Sequence, residues 1–166
     1  KNDIDNIQIG GRNLIVNYDD GGIIKLYGVS ATKTIVQDST LPSKSFIRFS
    51  NIQRDIGDYV FYIHLLQNPE NIKESLVGKE VNVSFYARAN NSQRMYFYRN
   101  FNVSVNLDTT WKKMSFPWVY DSGNLHFILE GSGLTTLEIH SVKIEYGNKA
   151  TDWTPAPEDK QDRLQD

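Results

Sequence analysis

The chain has 166 residues, a formal net charge of -2, 39% hydrophobic and 23% charged residues, and no cysteine. That length suits one domain with a substantial core rather than two, and the missing thiols exclude disulfides, thiolate metal sites and cysteine nucleophiles. The near-neutral charge gives no electrostatic basis for a nucleic-acid partner, and no apolar run approaches the roughly 20 residues of a membrane-spanning helix, so no membrane insertion is expected.

Residues 1–12 (KNDIDNIQIGGR) are polar and read as a linker from a preceding region, without the features of a signal peptide. Short alternating runs then follow in order: GIIKLYGV (22–29), SFIRFSNI (45–52), DYVFYIHLLQ (58–67), EVNVSFYARA (80–89), RMYFYRNFNVSV (94–105), WKKMSFPWVY (111–120), NLHFILE (124–130) and TTLEIHSVKIEY (135–146). Between them stand DDGG, LPSK, RDIGD, QNPENIKESLVGK, NNSQ, NLDTT, DSGN and GSG, all rich in turn formers. Only PENIKESL has the makings of a helical turn. Eight strands at this spacing predict an all-β fold, a two-sheet antiparallel β-sandwich of jelly-roll type over residues 13–154. Residues 155–166 form a polar exit segment after the prolines.

Successive strand residues point to opposite faces, so alternation assigns sides. EVNVSFYARA buries Val81, Val83, Phe85 and Ala87, leaving Asn82, Ser84, Tyr86 and Arg88 opposite. DYVFYIHLLQ buries Tyr59, Phe61, Ile63 and Leu65, leaving Tyr62 and His64. RMYFYRN buries Met95 and Phe97, leaving Arg94, Tyr96 and Tyr98, and NLHFILE buries Leu125, Phe127 and Leu129, leaving His126 and Glu130. In TTLEIHSVKIEY the apolar phase changes between Ile139 and Val142, which requires a bulge near His140 and Ser141. Pro117 requires an edge or a bulge, and Trp118 beside it fits either face.

The nine Tyr, eight Phe and three Trp bear on function. Sugar rings offer an apolar C–H face and a rim of hydroxyls, so their sites pair flat aromatics with bidentate or amide hydrogen-bonding groups. Tyr62, His64, Tyr86, Arg88, Tyr96, Tyr98 and His126 are expected to form such a carbohydrate-binding surface on one sheet. His64, His126 and His140 lack zinc-ligand spacing. No G-x-S-x-G elbow, P-loop or dinucleotide fingerprint occurs. Asp19 and Asp20 in NYDDGG offer hard oxygens to a structural calcium, without the spacing of an EF-hand loop; no other cofactor is expected. Two alternatives to saccharide binding stay open: a spacer domain whose aromatic face packs on a neighbouring subunit, and a glycan hydrolase using carboxylates among Glu130, Glu138 and Glu145.

The ending VKIEYGNKATDWTPAPED (142–159), the opening GGRNLIVN (10–17) and the internal LVGKEVNVSFYAR (76–88) together resemble a known group. They are similar to carbohydrate-binding-like modules in tail, baseplate and minor structural proteins of siphophages of Gram-positive bacteria, the accessory baseplate proteins of lactococcal phages among them. The resemblance implies a β-sandwich in which Trp153 packs the end of the last strand against the body. It further implies motif residues that are structural rather than ligand-contacting. The implied setting is the virion tail tip or baseplate, with two kinds of partner: host cell-wall polysaccharide or another surface saccharide, and other baseplate or tail proteins.

Overall fold

Apolar side chains at every second position cannot share one side of a helix but do share one side of a pleated strand, and the chain follows that period nearly throughout. The computed structural model describes residues 11–15, 24–27, 29–54, 59–63, 75–121, 123–157 and 159. Its strands are β1 (Ile24–Tyr27), β2 (Val29–Gln37), β3 (Ser45–Arg54), β4 (Tyr59–Ile63), β5 (Glu80–Ala89), β6 (Gln93–Phe97), β7 (Asn100–Leu107), β8 (Lys112–Val119), β9 (Leu125–Glu130) and β10 (Leu137–Tyr146).

They form two five-stranded sheets. Sheet I has the order β1-β4-β9-β6-β7 and sheet II the order β2-β3-β10-β5-β8, with antiparallel pairing throughout. The β6–β7 hairpin is innermost; β5 pairs with β8, β4 with β9 and β3 with β10 around it. One long hairpin has thus rolled up so that successive pairs fall on alternate sheets, which is the jelly-roll sandwich that the strand spacing predicts. The inner faces meet in an aromatic core where Phe127 lies 5.1 Å from Phe85 and 5.4 Å from Phe97, and Phe97 lies 4.8 Å from Phe116. Each buried phenylalanine contributes roughly 1.5–3 kcal/mol.

Two elements depart from the expected pattern. The run 94–105 is not one strand: it turns back at Tyr98 and Arg99. Its turn contains neither Gly nor Pro; Asn100 supplies the local bond instead, its Oδ1 accepting from the Asn102 amide at 3.1 Å. Strand β2 has no counterpart in the predicted set. It is an edge strand with almost every side chain exposed, so it carries no apolar alternation to detect. Other expectations hold. The register of β10 against β5 shifts between His140 and Lys143, with Ser141 at φ 55°, and Pro117 lies on β8, an edge of sheet II. Trp118 turns inward, 5.5 Å from Phe97 in an edge-on contact. Of PENIKESL, only Ser75 and Leu76 are described, and they are helical.

The end of the β3 pairing accounts for the closing motif. Ile139 is the last β10 residue paired with β3, so the Val142 carbonyl beyond it, on the side where the Ile144 carbonyl accepts from the Leu14 amide, needs donors of its own. Trp153 Nε1 donates to it at 2.9 Å and Asn13 Nδ2 at 3.1 Å. Asn13 also donates to the Thr154 carbonyl and accepts from the Ile15 amide, tying the first described segment to the last. Beside them Glu145, fully buried, accepts from Thr151 Oγ1 at 2.6 Å and from the Thr151 and Gly11 amides at 3.1 Å. Lys143, equally buried, donates to Thr151 Oγ1 and the Asp152 carbonyl, with its ammonium 4.0 Å from Glu145. Burial pulls the Lys143 pKa down while Glu145 and Asp152 oppose that fall. Val142, Lys143, Glu145, Thr151 and Trp153 thus form a polar clasp. Ordered contacts reach Gly11 on one side and the buried Ala156 on the other.

Candidate functional site

The outer face of β10 is divided at the bulge. Past it the clasp covers Lys143 and Glu145; before it Glu138 and His140 look onto a face shared with β3, β5 and β8. Register sets the neighbours there, since Glu138 stands opposite Arg48 on one side and Arg88 on the other, while His140 stands opposite Tyr86, itself opposite Lys113. Glu138 accepts from both Arg48 Nε and Arg88 Nε at 2.6 Å. A carboxylate shared by two guanidinium groups through their Nε atoms fixes both in orientation while both side chains stay partly exposed.

Aromatic planes flank this clamp. The Arg88 guanidinium lies 4.1 Å from the centre of Trp111 and 5.5 Å from that of Phe46. Tyr86 stacks on His140 at 4.7 Å with an interplanar angle of 3°, and Trp111 meets His140 edge-on at 4.4 Å. Burial, aided by the Arg88 charge, lowers the His140 pKa to about 4, against the weaker opposing pull of Asp38. The ring is therefore neutral at pH 7. Ser43 Oγ donates to the Ser45 carbonyl and Ser141 Oγ to Ser43 Oγ, so Ser141 Oγ accepts from His140 at 2.7 Å and the proton sits on Nδ1.

From Tyr86 a groove of about 250 Å³ runs toward the clasp. Tyr86, Trp153 and Pro42 supply apolar walls, Lys113 and Asp152 supply charge, and Ser84, Ser141 and Thr151 supply hydroxyls. The arrangement provides flat hydrocarbon surfaces and a dense rim of donors and acceptors; Ser141, the hydroxyl beside His140, accepts from its Nδ1 and donates to Ser43. Of the three carboxylates considered for hydrolysis, Glu138 and Glu145 are held by cations or by Thr151 and Gly11. Glu130 lies on sheet I, 3.8 Å from Arg94.

The expected binding surface does not exist as one face. Tyr86 and Arg88 are on β5 of sheet II, whereas Tyr62, Tyr96 and His126 are on β4, β6 and β9 of sheet I, with Tyr98 in the hairpin turn beyond β6. Alternation separates inside from outside but cannot tell which sheet a strand joins, and the jelly roll sends neighbouring strands to opposite sheets. Tyr62 is described by its backbone register only, opposite Lys25 and His126. His64, Asp19 and Asp20 lie outside the described residues, and among those described no three His, Asp or Glu side chains converge to hold a metal ion. Sequence reasoning missed Phe46, Arg48, Trp111 and Lys113. The phase of SFIRFSNI, with Phe46 and Arg48 alternating against Ile47 and Phe49, was the available signal for two of them. Trp153, Thr151 and Asp152 belong to the structural motif and also border the groove.

No protein-family model matches the sequence, and no curated protein matches it. Solved structures do. One is the N-terminal CBM22-1–CBM22-2 tandem of Paenibacillus barcinonensis Xyn10C, with TM-score 0.53 and 16% identity over 82% of this chain and 50% of that one. A second holds the CBM22-1 and GH10 modules of Clostridium thermocellum xylanase 10B complexed with xylohexaose, with TM-score 0.52 and 12% identity over 83% of this chain and 28% of that one. A third is TmCBM61 in complex with β-1,4-galactotriose, with TM-score 0.50 and 12% identity over 82% of this chain and all (100%) of that one. The fold is that of the carbohydrate-binding-module β-sandwich. At these identities the likeness concerns architecture, and the side chains on the outer faces are this chain's own.

Proposed function

We propose that this chain is a non-catalytic carbohydrate-binding module that holds a polysaccharide against the outer face of sheet II. The observation that carries the reading is the groove bounded by Tyr86 and Trp153 and rimmed by Lys113, Asp152 and three hydroxyls, on the same sheet as the Arg48–Glu138–Arg88 clamp. A sugar ring would lie on the aromatic edges, with its hydroxyls toward Lys113, Asp152 and the terminal nitrogens of the two arginines. The architecture shared with modules solved with xylohexaose and β-1,4-galactotriose supports this reading. The setting we infer is a siphophage tail or baseplate, where many copies attach the virion to host cell-wall saccharide alongside other baseplate proteins. What suggests that setting is the resemblance of the motifs in residues 10–17, 76–88 and 142–159 to those of such modules.

The test is labelling of whole Gram-positive cells by the fluorescent domain displayed on multivalent beads, compared with a Tyr86→Ala/Arg88→Ala variant shown to be folded. Strain-dependent labelling that the variant loses, with affinity reduced at least about tenfold (~1.4 kcal/mol), is the expected result. Labelling of no strain by folded wild-type protein would refute the attachment role and leave the spacer reading in its place.

A further inference from the structure

Sheet I carries a second aromatic surface that the groove does not use. At the β6–β7 turn the Tyr98 amide donates to the His126 carbonyl at 2.9 Å, which fixes the turn beside β9, and the Tyr98 ring meets His126 edge-on at 6.3 Å. Tyr98 is nonetheless 64% exposed and Phe101, three residues on, 66% exposed. They are the two aromatic members of the set of large exposed hydrophobic side chains among the described residues. On the same sheet Tyr96 lies under the Arg94 guanidinium, 4.9 Å from its centre.

We propose that this face, centred on Tyr98 and Phe101, is a second saccharide-binding surface that takes an uncharged sugar chain. Polar chemistry selects that occupant. Among the described residues, the two arginines nearest the turn each have a carboxylate: Arg99 pairs with Asp121, and Arg94 lies 3.8 Å from Glu130. His126 is held neutral by burial and by Arg99. Around the turn the described charges are therefore balanced, which favours an uncharged partner over an acidic or basic one. The exposed planes are interrupted by Arg99, Asn100 and Asn102 rather than merged into one apolar patch, which suits a ligand with alternating C–H faces and hydroxyls better than the dry centre of a protein interface. The β6–β7 hairpin belongs to sheet I and the strands of the groove to sheet II, so the two surfaces are built from different sheets. One module would then contact two glycan strands at once, and each weak site would raise the effective concentration for the other.

The three tryptophans allow a direct test. Trp118 lies beneath Arg99 at 5.4 Å and reports on the hairpin, whereas Trp111 and Trp153 border the sheet II site. The indole N–H signals of ¹⁵N-labelled protein are followed while xylohexaose, β-1,4-galactotriose and soluble polysaccharide released from Gram-positive cell walls are added in turn. The expected result is a Trp118 response that survives Tyr86→Ala/Arg88→Ala and weakens at least tenfold in Tyr98→Ala/Phe101→Ala, while the Trp111 and Trp153 responses do the reverse. A Trp118 signal that never moves while the other two respond would overturn the second surface and leave the first intact. Silence of all three would refute both. A concentration-dependent Trp118 shift without sugar, abolished by Tyr98→Ala, would reassign the face to protein association.

Discussion

Strand β10 places two carboxylates on the outer face of sheet II, seven residues apart, and the chain treats them differently. Glu145, past the bulge, is roofed by the segments around Gly11 and Thr151–Trp153, and meets a buried ammonium and three local donors. Glu138, before the bulge, meets two guanidinium groups whose side chains are 41% and 30% exposed. The first arrangement spends polar groups on closing the module. The second holds polar groups where a ligand can reach them. A single inserted residue separates the two regimes, since it reverses the apolar phase just where pairing with β3 ends and the clasp takes over that edge of the strand.

The sharpest way to break this comparison is to remove each carboxylate. Glu145→Ala leaves a buried ammonium and three donors without their acceptor and should cost roughly 3–5 kcal/mol in chemical denaturation. Lys143→Met, which leaves Glu145 with its Thr151 and Gly11 bonds, should cost only about 1–2 kcal/mol. Equal losses from the two would show that the clasp is not centred on Glu145.

The next effect is of pH, on the open half. His140 has a folded pKa of about 4 against 6.5 in the unfolded chain, so between those values the unfolded state binds the extra proton. Stability is therefore complete above about pH 6.5 and falls as pH drops toward 4, by on the order of 3 kcal/mol from this group alone. Urea unfolding at pH 7 and pH 4.5 should show a loss for wild type that His140→Gln largely removes. An identical pH dependence in the variant would assign the loss to carboxylates instead.

How these halves arise was only partly legible in the sequence. The core of β5, β9 and β10 could be read because every second residue is apolar, and the bulge because Ile139 and Val142 cannot otherwise both be buried. The Asn13 and Trp153 bonds to Val142 could not be read, since they join positions 129 and 11 residues apart through a carbonyl that has no signature of its own. The clamp was hidden for a related reason. Arg48, Glu138 and Arg88 come from three separated strands, and only the sheet order β3-β10-β5 makes them neighbours.

A smaller effect sharpens the contrast. Glu138→Ala should cost only about 1 kcal/mol, because the arginines it releases can turn to water. It should still weaken saccharide binding in the labelling assay, because both guanidinium groups lose the acceptor that orients them. A loss comparable to that of Glu145→Ala would mean that the open half is as structural as the closed one.

The smallest expected effect is on sheet I. Tyr98→Ala and Phe101→Ala remove side chains that are about two-thirds exposed, and such substitutions usually change stability by no more than about 0.5 kcal/mol. Thermal or chemical unfolding should therefore hardly distinguish either variant from wild type. A loss near 2 kcal/mol would show that these rings already pack within the module and have no surface to offer a sugar. Near-neutral stability combined with lost binding is the pattern of side chains kept for contact, and it is the one expected here. Tyr86→Ala should fall between the extremes, since Tyr86 is half-buried on His140 and lines the groove as well.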